Sequence, residues 1–326
     1  MTKTRAAFIV VSWNNADLLE ECLQSIQLQT YKDHMTILVD NGSKDASIEV
    51  ARRTMPDIQL IAAGENLGFA KGNNRGIEKV LQDPSVGYIV LLNSDARLTA
   101  DWLETIINFS VTKPKAACLQ GTTFDYYDHN IIDSTHIYIS RMGQAIQAGH
   151  REFYTEDFGP KKVFGVNAAA CVITRSFIDA QPFGTKFFDE TMFMYLEDVD
   201  VAARATVMGW DNYLVPKATA YHMGSASSGK NPGFSLYMTF RNNLGLNIKN
   251  LPMRALIPVI FSSLKADRAS IRHLRRVGKK QAVPAIIKGR LAGTIYIPIY
   301  IFKRHKLKKY RHIDSAYLWQ LMKRGY

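Results

Sequence analysis

Residues 93–95 have the types and spacing either to hold a metal ion or to open a turn. The apolar run Tyr88–Leu92 ends there in Asn93-Ser94-Asp95. Such a run is typical of a strand buried on both faces, so it would deliver a carboxylate to the strand's carboxyl end. Ligands bind at that edge of open α/β sheets, where one carboxylate can anchor a divalent ion whose other ligands are phosphates and water. The alternative is that Asp95 only opens a turn before the next helix.

Polar residues also follow two other predicted strands. Ser12 and Asn14 stand at the end of the first strand, and Asp40 ends the second. Parallel strands place their carboxyl ends on one side of the sheet, so these residues and Asn93 can line one crevice. A base and a ribose need such hydrogen-bonding groups. Asp40 could accept from a pyrimidine ring N–H, while Asn14 or Asn93 could reach a ribose hydroxyl. Asp-Asn-Gly-Ser at 40–43 is equally ordinary turn chemistry.

The glycine- and asparagine-rich segment 66–76 combines backbone freedom with positive charge. It begins at Asn66, and Gly68 allows close backbone approach. Lys71 and Arg75 add positive charge at a helix entrance, which already favours anions. The segment is therefore suited to lie near a diphosphate, although it is neither a dinucleotide fingerprint nor a P-loop. A helix-capping loop without a ligand is the alternative.

A second group of acids opens a predicted helix. At ~100° per residue, Glu197 and Asp200 share one face while Asp198 points elsewhere. Asp200 stands four residues before Arg204 and is expected to form a structural pair with it. Asp198 is then a candidate base, because an ionised carboxylate in this position could take a proton from an attacking hydroxyl. Acids are also favoured in any first helical turn, so this stretch alone does not assign the role.

His222 follows a short predicted strand and precedes a loop rich in glycine and serine. A lone histidine is more often structural than a ligand. Together with Asp95 and two phosphate oxygens, however, it could complete the octahedral coordination of a divalent ion.

The elements that must position these residues alternate along the first 110 residues. The hydrophobic pattern predicts strands at Ala7–Trp13, Met35–Val39, Ile58–Ala62 and Tyr88–Leu92, and helices at Ala16–Gln29, after Asp45, at Ile77–Leu81 and at Trp102–Phe109. Alternation of this kind predicts an α/β fold with a mostly parallel sheet and helices on both faces. A mixed second half is expected from strand-like segments at Ala116–Phe124, Ile131–Ile139, Val163–Thr174 and Asn212–Val215, with helices at Leu196–Met208 and Ser235–Lys249.

Charge divides the chain in two. The 326 residues carry a net charge of +12, but residues 252–326 hold 18 Lys or Arg against two acids, so the remainder is slightly acidic. From Pro252 onward the pattern is amphipathic, helical and basic. Such a tail could meet nucleic acid or an anionic membrane surface, or it could be a solvated helical face. The three cysteines lie far apart in apolar surroundings and fit reduced core thiols of a cytosolic protein.

These motifs, in this order, resemble the family 2 glycosyltransferases over residues 6–250. The matching parts are Ser12-Trp13-Asn14, Val39–Ser43, Asn66–Phe69 with Gly72-Asn73-Asn74, Asn93-Ser94-Asp95, Glu197-Asp198 and Tyr221-His222. Members are inverting nucleotide-sugar enzymes with a single Rossmann-like domain of the GT-A type. Asn93 stands where the family's D-x-D element has its first Asp, a form seen in the rhamnosyltransferase-like branch.

The resemblance implies roles for individual residues. Asp95 would hold a divalent cation, Mg²⁺ or Mn²⁺, with His222 completing the site, and Asn93 would lean toward the nucleotide. The Glu197-Asp198 pair implies Asp198 as the general base. Nucleotide-sugar binding is predicted for the donor half, at Ser12, Asn14, Asp40, Asn66, Gly68, Lys71, Asn93 and Ser94.

The sequence therefore predicts a glycosyltransferase domain over residues 1–250 and a basic amphipathic region over 251–326. The expected reaction transfers a sugar from a pyrimidine nucleotide diphosphate to a saccharide or lipid-linked saccharide in cell-surface polysaccharide synthesis, and the resemblance implies a deoxysugar such as rhamnose. The protein is expected on the cytoplasmic face of the cell membrane, bound to its anionic surface and not to nucleic acid. The alternatives are a sugar nucleotidyltransferase, which should show a glycine- and arginine-rich signature after the first strand, and a non-enzymatic basic protein that binds nucleic acid or membrane.

Overall fold

The first half of the chain alternates strands and helices as predicted. A computed structural model describes residues 4–154, 159–224, 232–313 and 315–323. The elements are β1 (Arg5–Ser12), α1 (Ala16–Gln27), β2 (His34–Asp40), α2 (Ser47–Thr54), β3 (Gln59–Ala62), α3 (Gly68–Val80), β4 (Val86–Asn93), β5 (Ala96–Leu98) and α4 (Trp102–Ser110).

The second half is mixed and ends in helices. It comprises β6 (Ala116–Asp125), β7 (Ile132–Ser134), β8 (His136–Ile139), β9 (Ala145–Ala148), β10 (Lys161–Val163), β11 (Ala170–Thr174), α5 (Arg175–Asp179), α6 (Glu197–Val207), β12 (Asp211–His222), α7 (Pro232–Asn250), α8 (Met253–Arg276), α9 (Val283–Ile295), α10 (Ile297–Lys308) and α11 (Ser315–Lys323). Short 3-10 turns occupy Glu190–Met192 and Lys280–Ala282.

Ten strands form one large mixed sheet in the order β10-β12-β6-β11-β4-β1-β2-β3, with β5 paired to β12 and β7 paired to β6, while β8 and β9 form a separate two-stranded sheet. Strands β3, β2, β1 and β4 are parallel, whereas β11 runs antiparallel to β4 and β6. Because β1, β2 and β4 run in the same direction, the polar residues at their carboxyl ends meet at one edge. The predicted fold class is confirmed.

Both faces of the sheet are buried, as the continuous apolar runs predict. In β1, Ala7 and Ile9 point into one hydrophobic cluster, which also contains residues of α3 and α6. Phe8 and Val10 point into a second cluster, which contains residues of α1 and α4. Alternate side chains of one strand thus pack against helices on opposite faces.

Helix α3 begins earlier than the sequence indicates. The glycines and asparagines of 66–76 predict a turn before a helix at Ile77, but the helix starts at Gly68. The glycines permit tight packing: a Cβ at Gly76 would lie 2.4 Å from Ile9, and one at Gly68 would lie 2.5 Å from the Phe193 oxygen. Close contact with the sheet and the 193 loop therefore outweighs the poor helix propensity of glycine.

Two further runs differ from the expected ones. The run 163–174 divides into β10 and β11, and the run 131–139 divides into β7 and β8. Helix α2 begins after Asp45 as predicted, at Ser47. The Asp45 carboxylate accepts from the Ser47 N–H at 3.1 Å, from the Ser47 hydroxyl and from the Ala16 N–H at 3.0 Å, so it joins the loops that follow β1 and β2.

The basic C-terminal helices pack on the body of the protein. Leu307, Leu318 and Met322 belong to the same hydrophobic cluster as the sheet. Arg304 donates to the Ile248 and Leu251 carbonyls at 2.7 and 2.6 Å. The region is therefore anchored by both apolar and polar contacts, while the division into domains at residue 250 stays a prediction.

Candidate active site

One cleft lies at the carboxyl ends of β1 and β4. Its volume is about 490 Å³, within the range of small-molecule sites. Eight of the predicted site residues line it: Asn66, Gly68, Asn93, Ser94, Asp95, Glu197, Asp198 and His222. The fold therefore brings the predicted metal ligands Asp95 and His222 and the predicted base Asp198, which are spread along the chain from residue 95 to residue 222, into one cavity.

The other four predicted residues lie outside the cleft lining. The Asp40 carboxylate is buried and accepts from the Gly42 and Ser43 N–H groups, each at 3.1 Å, in a turn. The Asn14 side chain accepts from the Lys44 N–H at 2.7 Å. Lys71 is half-buried on α3, and the buried Ser12 hydroxyl has no hydrogen-bond partner in the structure. Their roles in nucleotide binding stay predictions.

Asp95 and His222 lie side by side because β5 pairs antiparallel with the end of β12, with Ala96 opposite His222. The Asp95 Oδ1 atom is 3.4 Å from His222 Nε2. On the other side of the ring, Nδ1 is 3.0 Å from Asp133 Oδ2 on β7. Asp133 was not predicted from sequence; the available signal was a carboxylate directly after two apolar residues in the strand-like run Ile131-Ile132-Asp133.

The two carboxylates control the charge of His222. Burial alone would lower its pKa, but hydrogen bonds to Asp133 and Asp95 and their negative charges outweigh burial and raise the pKa of His222 to about 10. The two carboxylates therefore favour a positive charge at this place, which a proton on His222 supplies here and which a divalent ion bound by Asp95 and His222 Nε2 would supply in its stead. The Asn93 amide nitrogen lies 3.2 Å from His222 Nε2, so Asn93 contacts the same ring.

The Asp95–His222 pair fits two ligands of a divalent ion. In an octahedron with bonds of ~2.1 Å, neighbouring ligands lie ~3 Å apart, close to the 3.4 Å measured between Asp95 Oδ1 and His222 Nε2. Asp133 orients the ring through its other nitrogen, as carboxylates beside metal-binding histidines commonly do. No group of three or more His, Cys, Asp or Glu suited to a metal occurs in the described ranges, so the remaining ligands would have to come from substrate or water.

Asp198 and Glu197 stand at the start of α6 and line the same cleft. Asp198 Oδ1 accepts from the Val199 N–H at 2.7 Å, and Oδ2 is 3.5 Å from the Ala168 nitrogen. Burial raises the pKa of Asp198 to about 6, although the hydrogen bonds from these backbone donors lower it. Burial and the charge of Asp198 also raise the pKa of Glu197 well above its usual range. Of the two carboxyl groups, Asp198 is the more readily ionised.

A strained loop presents these carboxylates. Three residues directly before α6 have positive φ, namely Phe193 at 61°, Tyr195 at 71° and Leu196 at 70°. Non-glycine residues adopt this conformation at a cost and often do so at functional sites. The strain is held in place from α7, where the buried Asn242 side-chain nitrogen lies within 2.9 Å of the Met192, Met194 and Tyr195 carbonyls.

The sequence did not single out Asn242. The available signal was the polar triplet Arg241-Asn242-Asn243 within a largely apolar helix. Arg241 adds to the same support, because its guanidinium donates to the Thr191 and Met192 carbonyls at 2.9 and 2.7 Å.

A buried ionic cluster lies behind α6. Asp200 pairs with Arg204 at 3.0 Å, which matches the expected structural role. Lys249 of α7 lies between Asp189 and Asp200, 2.7 and 2.8 Å from their carboxylates. Lys303 of α10 also pairs with Asp189. The cluster thus connects the helix that carries Asp198 to two helices of the C-terminal half.

Solved glycosyltransferases share this fold. The structure of GalNAc-T7 with UDP, GalNAc and Mn²⁺ superimposes with a TM-score of 0.59 at 12% identity, covering 75% of this chain and 48% of that one. A mannosyltransferase from Pyrobaculum calidifontis, in complex with GDP-Man and Mn²⁺, gives 0.54 at 17% identity, covering 95% and 86%. The fold of this protein therefore belongs to the GT-A class.

Residues 7–180 match the profile described as Glycosyl transferase family 2, so the chain belongs to that family. It is a nucleotide-sugar-dependent glycosyltransferase, as the sequence motifs predict. Over 246 residues it is 26% identical to the N-acetylglucosaminyl-diphospho-decaprenol L-rhamnosyltransferase of Mycobacterium tuberculosis. That alignment covers 70% of this chain and 79% of the relative.

Proposed function

We propose that this enzyme inverts the anomeric centre as it moves a sugar from a pyrimidine nucleotide diphosphate to a hydroxyl of a lipid-linked saccharide. The observation that carries the proposal is one cleft that holds the Asp95–His222 pair and Asp198. The Mycobacterium tuberculosis relative is an N-acetylglucosaminyl-diphospho-decaprenol L-rhamnosyltransferase, which supports rhamnose as the sugar and a lipid-linked acceptor. The proposed setting is cell-surface polysaccharide synthesis on the cytoplasmic face of the cell membrane.

In the proposed reaction, Asp198 takes the proton of the acceptor hydroxyl. The acceptor oxygen then attacks the anomeric carbon from the side opposite the nucleoside diphosphate, so one C–O bond forms as the bond to the phosphate oxygen breaks. No covalent intermediate with the protein is needed, and a single displacement inverts the centre. Asp198 is suited to this step because burial places its pKa at about 6, so it is ionised at neutral pH and can still hold a proton.

The residues around Asp95 would stabilise the leaving nucleoside diphosphate. Asp95 and His222 would hold Mg²⁺ or Mn²⁺, which supplies positive charge to the departing diphosphate. Asp133 would keep the His222 ring oriented through Nδ1, at 3.0 Å. The solved structures that share the fold carry Mn²⁺, which supports a divalent cation here.

Donor binding tests this proposal first. We expect a pyrimidine diphosphate-sugar to raise the melting temperature only when Mn²⁺ or Mg²⁺ is present, because a ligand of the folded state stabilises it by about 2.7 kcal/mol at a hundred times its Kd. The screen compares thymidine, uridine and guanosine diphosphates and their sugars, each with and without metal. Asp95→Asn should lose the metal-dependent shift, and Asp101→Asn, an exposed helix-start residue outside the cleft, should keep it. No shift with any nucleotide diphosphate would contradict the proposal.

The rate of transfer should depend on pH through Asp198. Burial raises its pKa to about 6, and the base works only when ionised. We therefore expect kcat/KM to rise as pH increases through about 6 and then to level off, measured from about pH 4.5 to about pH 8. Circular dichroism across the same range separates this effect from unfolding. A rate independent of pH over that interval would argue against Asp198 as the base.

A further inference from the structure

Exposed apolar side chains are concentrated on the C-terminal helices. In the part of the chain that the structure describes, 11 of the 18 exposed large hydrophobic residues lie between residues 253 and 302. Single exposed apolar residues are normal, but contiguous groups mark a surface that meets a partner or a membrane. These helices therefore present a surface that differs from the rest of the protein.

On α8 the exposed residues form one stripe. Met253, Ile257, Phe261 and Leu264 recur at helical spacing, and their exposed fractions run from 47% to 64%. At ~100° per residue they share a face. The opposite side of α8 is buried, with Ala255, Leu256, Val259, Ser263 and Ala266 packed toward the protein.

Helix α9 repeats this pattern. Ile287, Leu291 and Ile295 are exposed at 50% to 75%. The other side of the helix carries Gly289 and Gly293, where an added Cβ would lie 2.5 and 2.7 Å from backbone oxygens of α7. Close packing on α7 thus fixes which side of α9 faces outward.

The two helices are tied to each other by an ion pair. Arg290 of α9 donates to both carboxylate oxygens of Asp267 on α8, at 2.6 and 2.8 Å. Exposed apolar residues continue onto α10 at Ile301 and Phe302. We call the outward side chains of the three helices the docking face: Met253, Ile257, Phe261, Leu264, Ile287, Leu291, Ile295, Ile301 and Phe302.

Positive charge accompanies the docking face. From residue 252 onward, Asp267 is the only acid in the described ranges, and Arg290 neutralises it. Exposed basic residues on or between α8 and α9 are Arg254, Lys265, Arg268, Arg272, Arg275, Arg276, Lys279, Lys280 and Lys288. Uncompensated positive charge beside an apolar stripe is the composition of helices that lie in the surface of an anionic bilayer.

The C-terminal helices α8, α9 and α10 expose apolar side chains on their outward sides only. No single helix within the described residues is long and apolar enough to cross a membrane. Lys280–Ile295 and Ile297–Lys308 pass that test only as a pair, and the pair is bent by 59°. The inward residues of both segments are used in packing, as Ile286 and Tyr300 are buried, which leaves only the outward sides for lipid.

We propose that the docking face binds the surface of an anionic lipid bilayer, with its apolar side chains inserted between headgroups and its Lys and Arg residues on lipid phosphates. The proposal deepens the proposed function and rests on it for its biological sense, since a lipid-linked acceptor lies in the bilayer. Vesicle binding itself needs neither donor nor metal. The two proposals can therefore fail separately.

Vesicle sedimentation with the full chain tests the apolar contribution. The wild type should bind vesicles of phosphatidylcholine with about 30% phosphatidylglycerol. The double variant Phe261→Ser with Leu291→Ser should bind about tenfold more weakly, because it removes apolar area that lipid would cover. The matched control is Leu28→Ser with Val111→Ser, two side chains each 67% exposed outside the C-terminal helices, and it should bind as the wild type does.

A charge series tests the electrostatic contribution. Arg268→Glu with Arg272→Glu should weaken binding to the phosphatidylglycerol vesicles about tenfold or more, and added salt should weaken wild-type binding. Lys32→Glu with Arg52→Glu reverses two exposed charges on the body and should have little effect. Circular dichroism and thermal melting establish that each variant is folded.

Four outcomes would overturn the proposal. The first is that the wild type does not bind vesicles, and the second is that docking-face and control variants bind equally well. The third is light scattering that shows a dimer which the Phe261→Ser and Leu291→Ser substitutions dissociate, since the face would then cover a second copy of the chain. The fourth is an affinity for RNA that exceeds the affinity for vesicles at the same salt concentration.

Discussion

Asp198→Asn is expected to lower kcat by about 10²–10⁴-fold while leaving donor binding nearly unchanged. Asparagine has the same shape as aspartate. In the wild type the Val199 N–H donates to Asp198 Oδ1 at 2.7 Å, and the asparagine oxygen can still accept this hydrogen bond. It cannot take a proton from the acceptor hydroxyl, so the chemical step loses its base. Release of nucleoside diphosphate, measured with an acceptor that the wild type uses, gives kcat, and a thermal shift with donor and metal gives binding.

Asp101→Asn is the matched control for this variant. It makes the same chemical change at the start of another helix, α4, at an exposed position outside the cleft, and should retain wild-type kcat. Loss of both turnover and donor binding in Asp198→Asn would mean that the carboxylate supports the site and is not its base. Wild-type turnover would remove Asp198 from the mechanism.

Lys249→Met should cost about 3–5 kcal/mol in the free energy of unfolding. The Lys249 side chain is 1% exposed and lies 2.7 and 2.8 Å from the carboxylates of Asp189 and Asp200. Methionine matches its length but leaves part of two buried negative charges uncompensated. Urea denaturation measures the loss, with Lys79→Met on the exposed side of α3 as a control expected within about 0.5 kcal/mol of wild type.

Acid should reduce the difference between Lys249→Met and the wild type. Burial raises the pKa of Asp189, but the charges of Lys249 and Lys303 outweigh burial and hold it well below its usual range. A carboxyl group with a lowered pKa in the folded state stabilises the protein above its unfolded pKa, and this stability is lost as pH falls. We expect the two unfolding free energies to converge below about pH 4. A loss of less than about 1 kcal/mol at neutral pH would show that the cluster tolerates the missing charge.

The sheet was predictable because its signals are local. Tyr88–Leu92 and the first two strands are short apolar runs that end in polar residues, and a strand buried on both faces needs that pattern. The start of α3 was not predictable, since Gly68 and Gly76 read as turn residues until the positions of Phe193 and Ile9 are known. Packing between distant segments decided the outcome there.

The candidate site shows the same difference between local sequence signals and contacts between distant segments. Asp95, Asp198 and His222 stand in motifs, and the fold brings all three to one cleft. Asp133 and Asn242 act through contacts with residues at least 47 positions away. Asp133 contacts His222, and Asn242 contacts Met192, Met194 and Tyr195. A single sequence gives no measure of such proximity, so the residues that orient the site were missed, and Ser12, Asn14, Asp40 and Lys71 were predicted for a site whose lining does not include them.

Two stretches of chain build the cleft, and the second of them depends on the Asn242 side chain. The family profile ends at residue 180, before the loop that carries Asp198 and well before the α7 side chain that holds this loop. Residues 7–180 supply Asp95, while Asp198, His222 and the supporting α7 follow later in the chain. A fragment cut at the end of the family match would keep Asp95 and lose Asp198, His222 and Asn242, and a chimera that exchanges the segment around Asp198 would have to carry Asn242 with it.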